Sequence, residues 1–311
     1  MVSINNRQTV QTPHIALHRQ VTIPARILSN APYMQYPPVV VADGEGGIVA
    51  AWLDSRNEIF SFDIYTQRIR GQGELLWDSC GVAVVEIPGY RDIPTLVRTS
   101  DGNFILAWYD ERNSNNPGIY TQKFTRDGLM LWAEDGIRIS SYSAAPERDL
   151  VADQQGGAIA VWAPFGKSVL YTQRIGSNGE LVWVDSGVVV TVGNADWDNI
   201  QLTTCSDGQN GIIIVWNYKL RNCYVQRLDS TGSKMFEEKG IIVGTKGKQQ
   251  LGPVVRLYDV NSFVIVWRQD KSLYCQRSSP MRLLHFLCKH LQFRIKRPVL
   301  TDLQNEWPTG R

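Results

Sequence analysis

Five short apolar runs, each ending in a tryptophan, recur along the chain, and each is followed by a segment in which apolar and polar residues alternate. The runs are Ile-Val-Ala-Ala-Trp52, Phe-Ile-Leu-Ala-Trp108, Ala-Ile-Ala-Val-Trp162, Ile-Ile-Ile-Val-Trp216 and Phe-Val-Ile-Val-Trp267. A short continuous apolar run predicts a strand that is buried on both faces. The alternating segments, of which Tyr65-Thr-Gln-Arg68 is the first, predict strands nearer the surface. The chain is therefore predicted to be all-β.

The five tryptophans are separated by 51 to 56 residues, which defines a repeat. Each is followed by a tyrosine of the alternating strand, and four units continue into a glycine turn that precedes an apolar segment. The tyrosines are Tyr65, Tyr120, Tyr171, Tyr224 and Tyr274, and the glycines are Gly73, Gly128, Gly179 and Gly232. Self-similarity at a fixed period is the signature of a repeat architecture.

Each unit contains four predicted strands, which in the first unit cover residues 38–43, 47–53, 63–70 and 75–85. Four-stranded units of this length predict the blades of a β-propeller. The predicted propeller covers residues 21–277, after a disordered leader over 1–20. Its five repeats cover 38–90, 91–144, 145–197, 198–250 and 251–277. Because the last repeat has no glycine turn, we predict five blades whose ring is closed by an N-terminal strand over 21–29, beside residues 273–277.

Residues 278–311 form a tail with a different pattern. Its apolar residues recur at helical spacing, at Leu284, Leu287, Cys288, Leu291 and Ile295. This spacing predicts a short amphipathic helix that packs on the propeller or contacts a membrane surface, or else a disordered segment. A truncated or frame-shifted end would produce a similar pattern.

The composition excludes several classes of function. A net charge of +2 gives no general electrostatic case for nucleic-acid binding, and no apolar window reaches membrane-spanning length. The five cysteines are scattered, which favours free thiols over zinc ligands or disulfides. Asn194, Asp196 and Asp198 alternate as in a calcium loop, but the required glycine and glutamate are absent. We therefore predict a monomer without metal or other cofactor.

Two turns resemble a known hairpin. Arg126-Asp127-Gly128-Leu-Met-Leu-Trp132 and Asn178-Gly179-Glu-Leu-Val-Trp183 resemble the Asp-box hairpin of sialidase-type propellers, with one extra residue before the tryptophan. The whole unit is similar to repeats of secreted and cell-surface bacterial propeller proteins. The resemblance covers residues 21–277 and implies the fold and an extracellular or cell-surface location, although no secretion signal is visible at the N-terminus. In that family the Asp box is a folding element away from the active centre.

The candidate site lies in the loops of one face, where the second-to-third and fourth-to-first connections of a propeller meet. Aromatic residues that fit no repeat anchor are the first candidates, because repeated residues are already explained by folding, and Asp and Arg residues of the same loops are added to them. They are Trp197, Tyr90, Asp92, Tyr142, Tyr218, Arg112 and Arg221. Aromatic rings stack on sugar rings, and charged groups bind hydroxyls. These loops predict a non-catalytic binding propeller for a glycan, another polar polymer or a protein surface. Solvated loops closed by local Asp–Arg pairs are the alternative.

A propeller-type glycoside hydrolase, sialidase-like or arabinanase-like, is the alternative in the enzyme class. Such chemistry needs two carboxylates at a fixed separation, one of them with a raised pKa. A sialidase would also need an arginine cluster and a Tyr/Glu pair. The chain has no GxSxG, HExxH or phosphate-loop motif, and no acid is singled out by its neighbours in sequence. We therefore assign no catalytic residue.

Overall fold

The computed structural model describes residues 25, 27–59, 61–140, 144–164, 169–184, 186–193, 200–217, 222–259, 262–279 and 282–287. Within these residues the secondary structure is entirely β, and the strands form five four-stranded antiparallel sheets of consecutive strands, each of which is one blade. The protein is therefore a β-propeller, as the repeat predicts. No helix in this part of the chain is long and apolar enough to cross a membrane.

The first three blades each contain four consecutive strands. Blade 1 contains β1 (Val39–Ala42), β2 (Ile48–Asp54), β3 (Asp63–Ile69) and β4 (Val82–Val85). Blade 2 contains β5 (Thr95–Arg98), β6 (Phe104–Asp110), β7 (Gly118–Phe124) and β8 (Ile137–Arg138). Blade 3 contains β9 (Ala144–Ala152), β10 (Ala158–Pro164), β11 (Val169–Ile175) and β12 (Val188–Val192).

The last two blades have the same strand order. Blade 4 contains β13 (Gln201–Ser206), β14 (Ile212–Asn217), β15 (Cys223–Leu228) and β16 (Ile241–Val243). Blade 5 contains β17 (Gln250–Asp259), β18 (Ser262–Gln269), β19 (Ser272–Ser279) and β20 (Arg282–Leu287). Contacts between the first strands of neighbouring blades join β1, β5, β9, β13 and β17 in that order.

The core lies between the blades and is built from the second strands. Val49 and Leu53 of β2 pack against Phe104 and Trp108 of β6, and the other three interfaces repeat this arrangement. Because both faces of an inner blade are covered, its second strand is apolar throughout, which explains the runs of blades 2, 3 and 4.

The five repeat tryptophans occupy equivalent buried positions, as predicted. Each indole is at most 2% exposed, and each stacks on the tyrosine of the third strand with ring centroids 5.8 to 6.5 Å apart. The tryptophans are Trp52, Trp108, Trp162, Trp216 and Trp267. Burying an aromatic ring of this size is among the larger single contributions to stability.

The glycine turns connect neighbouring blades. The indole N–H groups of Trp77, Trp132 and Trp183 donate to turn carbonyl groups of the following blade, over 3.1, 3.2 and 3.1 Å. Gly232 shows why the turn needs glycine. Its φ is 85°, and a Cβ there would be 3.0 Å from the ring of Trp183.

The predicted end of the propeller is wrong in one respect. Blade 5 has a fourth strand of its own, since β20 pairs with β19 at Gln276–Leu287 and Arg277–Phe286. The position beside β19 that we expected an N-terminal strand to fill is therefore occupied by β20. Leu284 and Leu287 belong to this strand, whereas the remainder of the expected helix lies outside the described residues. In the N-terminal segment, Ala25 and residues 27–29 are not in a strand.

Candidate functional site

In blade 1 the second-to-third connection contacts the fourth-to-first connection, as expected for connections that share one face of a propeller. Phe62, at the end of the second-to-third connection, donates its backbone N–H to the carbonyl of Gly89 over 3.4 Å. Arg91, in the connection to blade 2, donates to the carbonyl of Phe62 over 2.9 Å. These bonds place residues 61–62 beside residues 89–91, directly before the first strand of blade 2.

A cavity of about 390 Å³ opens at this junction, and its first wall is apolar. Tyr36, Leu53 and Phe62 of blade 1 form this wall. The ring of Phe62 lies perpendicular to that of Tyr36, with centroids 5.2 Å apart, and nearly perpendicular to that of Tyr90, at 6.0 Å. Tyr36 and Phe62 are half-buried, whereas Tyr90 is 48% exposed. Tyr90 therefore presents an accessible ring at the cavity.

The second wall carries an ion pair. Arg148 of β9 places its Nη1 2.5 Å from Oδ2 of Asp92 and also donates to the carbonyl of Ile93. Asp92 is fixed on its other oxygen, because Oδ1 accepts the backbone N–H of Tyr109 over 2.9 Å. The pair thus joins blades 2 and 3, and both side chains line the cavity.

Burial changes the pKa values of Asp92 and Tyr90 at this cavity. Burial raises the pKa of the Asp92 carboxyl above its ordinary value, and Arg148 and the Tyr109 amide offset part of that rise. Burial also raises the pKa of Tyr90, and the nearby Asp92 and Glu111 carboxylates add to the effect. Tyr90 therefore keeps its proton at neutral pH and can both donate and accept a hydrogen bond.

Arg91 is fully buried beneath the cavity and holds its floor together. Its Nε lies 2.9 Å from Asp110 Oδ2, and its Nη1 lies 3.5 Å from Asp63 Oδ1 and donates to the Phe62 carbonyl. A buried guanidinium with carboxylates on two sides is a structural element, because removing either partner would leave a buried charge uncompensated.

A tyrosine–glutamate pair lies next to the cavity. The hydroxyl of Tyr109 donates to Oε1 of Glu111 over 2.7 Å, and the backbone N–H of Glu111 donates to the Tyr90 carbonyl over 2.9 Å. Burial and the Glu111 carboxylate raise the pKa of Tyr109 well above its ordinary value. Tyr109 therefore contacts both acids, Asp92 through its backbone and Glu111 through its hydroxyl.

Arg112, another predicted site residue, is held by internal partners. Its Nη2 donates to Asp110 Oδ2 over 2.6 Å and to the Asp135 carbonyl over 2.9 Å, and its guanidinium lies 4.0 Å above the ring of Tyr120. Trp108 donates its indole N–H to the same Asp110 oxygen. Blade 1 repeats this unit with Trp52, Asp54 and Arg56, so the arrangement belongs to the fold of these two blades.

The structure brings together Tyr90 and Asp92 of the seven predicted residues. Trp197, Tyr142, Tyr218 and Arg221 lie outside the described residues. Sequence reasoning missed Tyr36, Phe62 and Arg148. For two of them the available signal was position in the unit: Tyr36 precedes the first strand of blade 1, as Tyr90 and Asp92 precede that of blade 2, and Arg148 lies within the first strand of blade 3. Within the described part of the chain, no group of three His, Cys, Asp or Glu side chains converges as metal ligands would.

No sequence-family profile and no curated protein matches the chain. Among solved structures the fold is similar to a Hadza microbial sialidase, at 10% identity and a TM-score of 0.48 over 78% of this chain and 52% of that one. It is also similar to the fucose-specific lectin of Aleuria aurantia, at 9% identity and a TM-score of 0.43 over 75% and 71%. An α-L-arabinofuranosidase of Fusarium graminearum matches at 12% identity, with a TM-score of 0.42 over 75% and 72%. The chain thus spans about half of the sialidase, and the likeness concerns the fold alone.

Proposed function

We propose that this protein is a non-catalytic glycan-binding propeller whose site is the cavity between blades 1, 2 and 3. The observation that carries the proposal is the exposed ring of Tyr90 beside the fixed Asp92–Arg148 pair at the mouth of one cavity. The cavity volume of about 390 Å³ is within the range of about 300 to 1,000 Å³ typical of small-molecule sites.

The chemistry of the two walls suits a sugar. A pyranose has C–H groups on its ring face, which pack on an aromatic ring, and hydroxyls at its edge, which both donate and accept hydrogen bonds. A carboxylate accepts and a guanidinium donates, so Asp92 and Arg148 together satisfy two neighbouring hydroxyls. Because both side chains are already held by the fold, little side-chain entropy is lost on binding.

The resemblance of the glycine turns to Asp-box hairpins supports the proposal. In the turn that begins at Arg126, Gly128 has φ of 84°, and Trp132 donates its indole N–H across to blade 3. We infer that these turns are folding elements of an Asp-box-like propeller, which leaves the loop face free for a ligand.

A glycan array probed with the purified protein and its Tyr90→Ala variant tests the proposal. Loss of the aromatic ring should weaken binding by roughly ten-fold or more, because stacking of this kind is worth about 1 kcal/mol and the packed ring also excludes water. Tyr258→Ala is the matched control, since Tyr258 is an exposed tyrosine, 64% accessible, on blade 5. Equal binding by wild type and Tyr90→Ala, or no bound glycan at all, would contradict the proposal.

A glycoside hydrolase is the second candidate, and one observation favours it. Asp92, whose pKa is raised by burial, and Glu111 are both bound to Tyr109, so two acids with different environments lie on one rim. Glycosidic bond cleavage requires two carboxyl groups, one of which has a raised pKa. Release of nitrophenol from a panel of nitrophenyl glycosides, abolished in Glu111→Gln, would establish this activity. Intact substrates with measurable binding would instead support the non-catalytic role.

A further inference from the structure

We propose that the cavity selects one terminal saccharide unit of the 6-deoxyhexose class, whose exocyclic methyl group lies against the blade 1 wall. This inference rests on the proposed glycan-binding function. Its basis is the division of the cavity into an apolar wall and a charged wall, supplied by different blades.

The apolar wall has no polar side-chain group except the Tyr36 hydroxyl. Leu53 is 4% exposed and belongs to the core between blades 1 and 2, where Tyr36 and Phe62 pack against it. Ile93, which is 41% exposed, adds an aliphatic side chain at the lining. A hydroxymethyl group placed against Leu53 and Phe62 would lose hydrogen bonds to water that, on this wall, only the Tyr36 hydroxyl could replace. A methyl group at the same position would gain from burial.

The charged wall fixes the opposite edge of the ligand. Asp92 and Arg148 are only 19% and 6% exposed in their side chains, and each is anchored by a further bond to the backbone of Tyr109 or Ile93. Their positions are therefore set before the ligand arrives. Two neighbouring ring hydroxyls bound here orient the sugar so that its remaining edge meets Leu53 and Phe62.

The size of the cavity limits the ligand to one sugar unit. Its volume of about 390 Å³ is near the lower end of small-molecule sites. An extended oligosaccharide would have to lie across the face, where Tyr90 is the exposed ring. Recognition of a chain end is therefore expected, with the next unit of the glycan outside the cavity.

Matched pairs of methyl glycosides test the selection, because their members differ only at carbon 6. The pairs are D-fucoside and D-galactoside, L-fucoside and L-galactoside, and L-rhamnoside and L-mannoside, each titrated by calorimetry. In at least one pair the 6-deoxy sugar should bind at least about ten-fold more tightly than its hydroxymethyl partner, which is the usual effect of a small group in an apolar pocket. Saturation-transfer NMR should give its strongest signal at the methyl protons.

Ile93→Asn is the variant that tests the apolar part of the lining, because Ile93 lines the cavity and is exposed enough for the protein to remain folded. It should reduce the preference for the 6-deoxy member, whereas Leu129→Asn, at a 66% exposed position in a hairpin of blade 2, should leave it unchanged.

The two proposals fail in different ways. Equal or tighter binding of the hydroxymethyl sugars, or array binding that depends on Tyr90 but is not displaced by any 6-deoxy sugar, would overturn the selection and leave the glycan-binding function intact. Absence of any glycan whose binding depends on Tyr90 would overturn both.

Discussion

Trp183 donates its indole N–H to the carbonyl oxygen of Ser230, 3.1 Å away in the following blade, and its ring packs flat on Gly232. One side chain therefore joins blades 3 and 4 by both a hydrogen bond and apolar contact. At the equivalent position of blade 4, Phe236 packs against the core with blade 5 and has no N–H to donate. The contact between neighbouring blades thus occurs in two forms, one with the indole hydrogen bond and one without it.

Replacing Trp183 by Phe should give the contact between blades 3 and 4 the form seen at Phe236, without the indole hydrogen bond. We expect a loss of about 1 kcal/mol in the free energy of unfolding, because the indole hydrogen bond to the Ser230 carbonyl is lost, although Arg174 Nη1 still donates to that oxygen over 3.2 Å. Urea unfolding followed by fluorescence measures the change. Val184→Ala, at the neighbouring 60% exposed position, should stay within about 0.5 kcal/mol of wild type. Equal stability of Trp183→Phe and wild type would show that the hydrogen bond is dispensable.

Trp108→Ala should be far more damaging. The side chain is completely buried between blades 1 and 2, and its indole N–H is bonded to Asp110 over 2.7 Å. The cavity and the lost burial should cost about 3 to 5 kcal/mol in the free energy of unfolding. Trp267→Ala in the terminal blade should cost less, because the indole N–H of Trp267 has no hydrogen-bond partner to lose among the described residues. A greater loss for Trp267→Ala than for Trp108→Ala would contradict this ranking.

Asp149 should make the protein less stable as pH rises. Burial raises the pKa of its carboxyl in the folded state, although Oδ2 accepts two bonds from Thr204, each 2.9 Å long. The stabilising contribution is complete below roughly pH 4, the unfolded pKa of an aspartate, and is lost as pH rises through the higher folded pKa. The Asp149→Asn variant cannot ionise, so its stability relative to wild type should improve from pH 4 to pH 7 in urea titrations.

Asp101 is the matched control, with the opposite sign. Despite some burial, the Lys123 amine at 2.7 Å, with hydrogen bonds from Thr99 and the Asn103 amide, lowers the pKa of its carboxyl to about 2. Its contribution is present above roughly pH 4 and is lost as pH falls towards about 2. The penalty of Asp101→Asn should therefore shrink on acidification. The same pH trend in both variants would show that burial and ion pairing do not set the pKa values of these two carboxyls.

The repeat made most of the fold predictable, because the second strands of the inner blades hide both faces and therefore carry readable apolar runs that end in tryptophan. The last strand shows where this reasoning fails. Arg-Leu-Leu-His-Phe-Leu287 has apolar residues at helical spacing and no glycine turn before it, and only pairing with β19 makes it a strand.

The repeat also made part of the candidate site predictable. Tyr90 and Asp92 stand out as residues outside the repeat, in a loop before a first strand. Arg148 meets Asp92 across 56 positions of sequence, and only the packing of blade 3 against blade 2 brings them together. Contacts of this kind leave no periodic signal in one sequence.

Removing β20 should loosen the outer edge of blade 5. In the intact protein β19 is paired on both sides, with Gln276 opposite Ile265 in β18 and opposite Leu287 in β20. A chain ending after Ser279 leaves one side of β19 unpaired, so hydrogen exchange should become faster in residues 272–279 and the free energy of unfolding should fall. A chain ending after Leu287 keeps β20 and is the matched control. Equal exchange rates in the two truncated chains would show that β20 does not protect this edge.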